Sequence, residues 1–134
     1  MTGFDLALIC LSLNVWHESR SESLAGQYAV AFVTINRAKE SHADICDVVF
    51  KDKQFSWANH ALDNHGKLLP KYMPHGVEWQ TARTIARNTI SNIHLDFTGG
   101  ATYYYADYIA KPSWAKNMIQ TAHYGHHIFY REVR

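Results

Sequence analysis

Apolar residues run almost unbroken from Leu6 to Trp16, and the run stops at the polar stretch His17-Glu18-Ser19-Arg20-Ser21-Glu22-Ser23. A segment of that length and character is a core helix, with Asp5 as its start signal and the polar stretch as its end. From Leu24 to Lys39, the residues Tyr28, Ala29, Phe32, Val33 and Asn36 recur at helical spacing, and Ser23 is placed to cap that helix. Val30, Val33, Thr34 and Ile35 would suit a strand, but a periodic stretch of about sixteen residues is longer than strands usually run. Ile45 to Phe50 is a short apolar piece, a helical turn or a strand. Asn59 to His75 is punctuated by Gly66, Pro70 and Pro74 and reads as a long loop. Glu78 to Ile93 sets Trp79, Ala82, Ile85, Ala86, Ile90 and Ile93 on one face and Arg83 and Arg87 off it, an amphipathic helix.

Beyond the turn at Thr98-Gly99-Gly100 the pattern changes. Thr102 to Tyr105 is strongly β-prone, Ser113 to Thr121 reads as a further helix, and His127 to Arg131 alternates as a strand does. The last segment is expected to pair antiparallel with the tyrosine strand, in which Tyr104 faces away from Tyr103 and Tyr105. The expected fold class is α+β, mainly α, with a small antiparallel sheet and one domain over residues 1–134.

Composition narrows this picture in three places. A chain of 134 residues can build a core without staples, and Cys10 and Cys46 show no Cys-x-x-Cys spacing, so both are expected to be buried free thiols. A net charge of +1 with scattered Lys and Arg forms no basic stripe, which excludes a nucleic-acid partner. The run from Leu6 to Leu13 lacks the basic start and the small-residue cleavage site of a Sec signal. At roughly ten residues it is also too short to span a bilayer. Synthesis without a Sec signal and no stable membrane association are therefore expected.

The candidate chemistry centres on Glu18. A carboxylate at a helix C-terminus meets the negative end of the dipole, and burial against Trp16 raises its pKa further. A Glu held protonated near neutral pH is a general acid. Arg20 and His17 oppose that shift, and the plain alternative is that Glu18 and Glu22 are solvated charges at a helix end. The nine histidines raise the question of a metal, chiefly His123, His126 and His127. However, His17-Glu18-Ser19-Arg20-Ser21 has Ser21 where a helical zinc site needs its second histidine, and no spacing supplies a third ligand, so no metal is expected. No Gly-x-Ser-x-Gly elbow and no phosphate-binding glycine loop occur, and no cofactor is implied. Trp57, Trp114 and the run Tyr103 to Tyr105, with Gln54, Ser56 and Asn59 alongside, offer flat apolar faces beside hydrogen-bonding groups, as a groove for sugar rings requires. Any one ring taken alone suits a core better than a ligand site, because burial is the usual fate of large rings.

Taken in order, Trp16-His17-Glu18-Ser19-Arg20-Ser21-Glu22, Gly26-Gln27-Tyr28-Ala29-Val30-Ala31, Ile35-Asn36-Arg37, Cys46-Asp47-Val48-Val49-Phe50, Gln54-Phe55-Ser56-Trp57, Gly99-Gly100-Ala101-Thr102-Tyr103-Tyr104 and His127-Ile128-Phe129-Tyr130 resemble the SleB-like cell wall hydrolases, the family of the spore cortex-lytic enzyme. The resemblance implies a lysozyme- and transglycosylase-like domain that cleaves peptidoglycan glycan strands. It implies Glu18 as the catalytic glutamate and Glu22 as a supporting carboxylate; the residues expected to bind substrate are Ser19, Gln54, Phe55, Ser56, Trp57, Tyr103, Tyr104, Tyr105 and His127. Ser19 and Ser21 stand where the family pattern Glu-Ala-Arg-Gly-Glu has Ala and Gly, and the Glu18-Ser19 pair looks like the motif of other lytic transglycosylases. The implied outcome is 1,6-anhydromuramic ends. The alternatives are a hydrolytic muramidase and a non-catalytic wall-binding virion protein. With no Sec signal, the expected setting is a monomeric phage endolysin acting on the wall from the periplasm.

Overall fold

The computed structural model describes residues 3–51, 71, 74–92 and 95–133. Among the described residues four α-helices come first: α1 (Gly3–Ser19), α2 (Leu24–Ser41), α3 (Ile45–Phe50) and α4 (Gly76–Ile90). Three strands follow, β1 (Tyr103–Ala106), β2 (Met118–Tyr124) and β3 (His127–Glu132), with a short 3-10 helix over Ser113–Asn117 leading into β2.

The first helix is apolar on nearly every side and, among the described residues, packs against α2, α3 and α4, while Phe4, Leu6 and Ile9 stay exposed. Leu8, Leu11, Val15 and Trp16 interlock with Ala31 and Ile35 of α2 and with Ala82, Ile85 and Ala86 of α4. Its buried hydroxyls are satisfied locally, whereas Asn14 Nδ2 and the Trp16 indole N–H find no hydrogen-bond partner among the described residues. Ser12 and Ser19 donate to the carbonyls of Leu8 and Val15 one turn back, and Asn14 Oδ1 accepts from Thr34 Oγ1 of α2 at 2.6 Å. The second helix starts at the expected cap, where Ser23 Oγ accepts the Gly26 N–H.

Two expectations are corrected here. Cys10 and Cys46 are not free thiols: they form a disulfide, with Cα atoms 5.2 Å apart, because α1 and α3 lie side by side. Ser113 to Thr121 is not one helix either. It is a single 3-10 stretch that gives way at Met118 to a strand.

That strand completes an antiparallel sheet of order β1-β3-β2. The expected pairing of the tyrosine strand with the last strand is present, in the register Tyr103 with Tyr130 and Tyr104 with Phe129. One face of the sheet, with Phe129, Tyr104, Ala122 and Tyr124, packs on Ala29 and Val33 of α2. Loop 95–102 is tied to the same helix. Asn36 Nδ2 donates to Asp96 and to the Ala101 carbonyl, and Arg37 Nε donates to the Thr102 carbonyl. Helix α2 therefore fixes where β1 begins. No helix among the described residues is long and apolar enough to cross a membrane.

Candidate active site

Glu18 lies in the last turn of α1, and Tyr104 comes to it from β1, so the site forms where the helical layer meets the sheet. The Tyr104 hydroxyl donates to Glu18 Oε1 at 2.5 Å across 86 residues of sequence. Among the described residues, Glu18 Oε2 has no hydrogen-bond partner. Burial raises the Glu18 pKa, and it stays raised although the Tyr104 hydrogen bond and the Arg37 charge pull it down. The opposing groups are thus Tyr104 and Arg37, and the residues expected from the sequence have other engagements. Arg20 lies over the Trp16 ring at 4.2 Å, and His17 meets the edge of the same ring system. Burial also holds the Tyr104 hydroxyl well above the ordinary tyrosine pKa, with Glu18 adding to the shift, so Tyr104 is a donor at neutral pH.

Glu22 stands outside the helix, which ends at Ser19. Its Oε1 accepts the backbone N–H of His126 at 2.6 Å and lies 3.9 Å from His127 Nδ1. His127 is buried, and its ring packs 4.9 Å from that of Tyr104. Burial lowers the His127 pKa, and the carboxylates of Glu22 and Asp107 only partly offset this.

Of the other sequence-predicted residues, Ser19 is buried and its hydroxyl donates to Val15. Tyr103 and Tyr105 sit on the opposite face of β1 from Tyr104, stacked among Trp114 and Tyr130. Gln54, Phe55, Ser56 and Trp57 lie outside the described residues. A cavity of about 340 Å³ opens at the end of α1 between Trp16, Arg20, Ser21, His75 and Glu78. A second, of about 250 Å³, opens beside Arg37 and Tyr103. His123 and His126 both turn to Asp107, at 3.1 and 3.6 Å. Among the described residues no group of three or more His, Cys, Asp or Glu is disposed to hold a metal ion.

Sequence reasoning missed Arg37 as an electrostatic neighbour of Glu18 and Gly125 as a contact of Glu22. Both are pairings between distant segments with no local pattern to reveal them.

The Cell Wall Hydrolase family model matches residues 21–130, a span that begins just after Glu18. Among solved structures, the chain is similar to the catalytic domain of the Bacillus cereus SleB protein, at 28% identity over 94% of this chain and 91% of that one, with a TM-score of 0.70. It is similar as well to the catalytic domain of the germination-specific lytic transglycosylase SleB from Bacillus anthracis, at 27% identity over 93% of each chain, with a TM-score of 0.73. No curated protein matches the chain.

Proposed function

Because the chain belongs to the Cell Wall Hydrolase family, we propose that it is a peptidoglycan lytic transglycosylase, serving as a phage endolysin, with Glu18 as its single proton-transfer group. The observation that carries this reading is a buried, protonation-prone carboxyl with one oxygen held by Tyr104 and the other unengaged among the described residues. Glu18 gives its proton to the glycosidic oxygen as the bond from muramic C1 breaks. The resulting carboxylate then takes the proton of the C6 hydroxyl of the same muramic acid as that oxygen closes on C1. The proton balance is restored at Glu18, and no water is consumed. Arg37 and the Tyr104 hydroxyl stabilise the carboxylate during the interval in which it is charged.

This route needs one carboxylate, whereas a hydrolase of the inverting or retaining type needs two placed across the scissile bond. Glu22, the second carboxylate nearest in sequence, already accepts a backbone hydrogen bond. Digestion of peptidoglycan in ¹⁸O-water, read by mass spectrometry, tests the proposal. The expected products carry 1,6-anhydromuramic ends with no label. Labelled reducing muramic ends would identify a hydrolytic muramidase, and no release of muropeptides at all would identify a non-catalytic wall-binding protein.

A further inference from the structure

We propose that Glu22 is a positioning residue that sets the depth of Tyr104 against Glu18 by gripping the β2–β3 turn, and is not a second catalytic carboxylate. The inference rests on the reading of Glu18 as the proton-transfer group.

Glu22 is itself fixed in place. Its backbone N–H bonds to the Ser19 carbonyl at 2.9 Å, and Gln27 Nε2 from α2 donates to its carbonyl at 3.1 Å. The Glu22 side chain is only 9% exposed, and it aims at a turn more than a hundred residues away. There Oε1 takes the His126 N–H, and the fit leaves no slack: a Cβ built on Gly125, where φ is +58°, would lie 2.5 Å from that oxygen. Gly125 is thus required twice, once by its left-handed backbone and once by the carboxylate pressed against it.

The grip is passed on through the sheet. His127 opens β3 immediately after the gripped amide, and it carries its ring against Tyr104. Two places further on, Phe129 pairs with Tyr104 in the ladder. The Tyr104 hydroxyl therefore reaches Glu18 at a distance set by where β3 sits, and Glu22 sets β3. A carboxylate whose oxygen is held against a backbone amide and a glycine is poorly placed to attack C1 or to activate water.

Three variants test this on soluble glycan oligomers. E22Q keeps an oxygen at the same reach but carries no charge. E22D keeps the charge and withdraws it by about one C–C bond, roughly 1.5 Å. G125A inserts the Cβ. A misplacement on that scale costs about 10- to 100-fold in rate, so E22D and G125A are expected to lose that much kcat with KM little changed. E22Q is expected to stay at least about tenfold above E22D. By NMR, the His126 amide proton should be shifted downfield in the wild type and E22Q, and not in E22D. E22Q falling to or below E22D would make the charge essential and overturn the proposal. A folded, fully active G125A would overturn it as well. A wild-type protein that cleaves no glycan, yet shows the downfield His126 amide, would refute the transglycosylase reading and leave the grip in place.

Discussion

Replacing Glu18 by Gln is expected to abolish lysis while making the protein more stable at neutral pH. Gln has the same shape, and its Oε1 accepts the Tyr104 hydroxyl as the carboxyl does, but it cannot transfer a proton. Loss of a general acid typically costs 10²- to 10⁴-fold, about 3 to 5 kcal/mol of transition-state stabilisation. The stability effect follows from burial. The folded-state pKa of Glu18 is raised, so below the unfolded value of 4.5 the side chain is protonated in both states and costs nothing extra. As pH climbs from 4.5 through the raised folded-state value, the native state loses stability that the unfolded state does not. E18Q has no such loss. Each pKa unit of elevation corresponds to 1.36 kcal/mol. With an unfolding entropy of roughly 0.28 kcal/mol/K for 134 residues, E18Q gains about 5 °C in Tm per unit of elevation. Melting followed by circular dichroism at pH 7 and pH 4 measures this, alongside turbidity loss of isolated sacculi. The expected result is a higher Tm for E18Q at pH 7 and convergence of the two proteins at pH 4. If E18Q melted lower at pH 7 and the gap closed at pH 4, the native state would be favouring the ionised carboxylate, and the argument for Glu18 as an acid would fail.

Two further outcomes are expected. In Y104F the hydrogen bond that holds the Glu18 pKa down is gone, so the alkaline limb of the kcat–pH profile should move to higher pH. The same variant should lose about tenfold in kcat, from a hydrogen bond to a charged group contributing roughly 1.5 kcal/mol; a limb that moved to lower pH would contradict the assignment. Reduction of Cys10–Cys46, a bridge of sequence separation 36, should remove about 4 kcal/mol of chain-entropy stabilisation. That corresponds to about 10–15 °C in Tm, and a scan with and without a phosphine reductant that showed no difference would contradict the pairing.

The helices could be read from the sequence because each writes its period into a contiguous stretch. Leu6 to Trp16, Leu24 to Lys39 and Glu78 to Ile93 all mark elements that are present, with ends differing by a few residues. Met118 to Tyr124 was illegible for the opposite reason. Its strand character comes from pairing with β3, while Trp114, Ala115 and Met118 sit at spacings that also suit a helix. The site divides the same way. Glu18 was visible as a carboxyl where an apolar run stops, because that is a local feature. Its hydrogen bond to Tyr104, its neighbour Arg37 and the reach of Glu22 to His126 each join segments far apart in sequence, and only packing brings them together. The cysteines misled on the same ground, since their pairing depends on how α1 lies against α3.

That bridge ties the helix bearing Glu18 to α3, and a cystine is a bond with an address. It persists at the cell surface and in the periplasm, and it is kept open by the thiol systems of the cytosol. The chain therefore has two forms, a looser dithiol wherever it is reduced and a braced one wherever it is oxidised, as at the cell wall on which its family acts. Resistance to proteases, more than rate per encounter, is where the difference between the two should show, because the brace lies at Cys10, some two helical turns before Glu18. An envelope rich in proteases would then retain the oxidised enzyme and clear the reduced one.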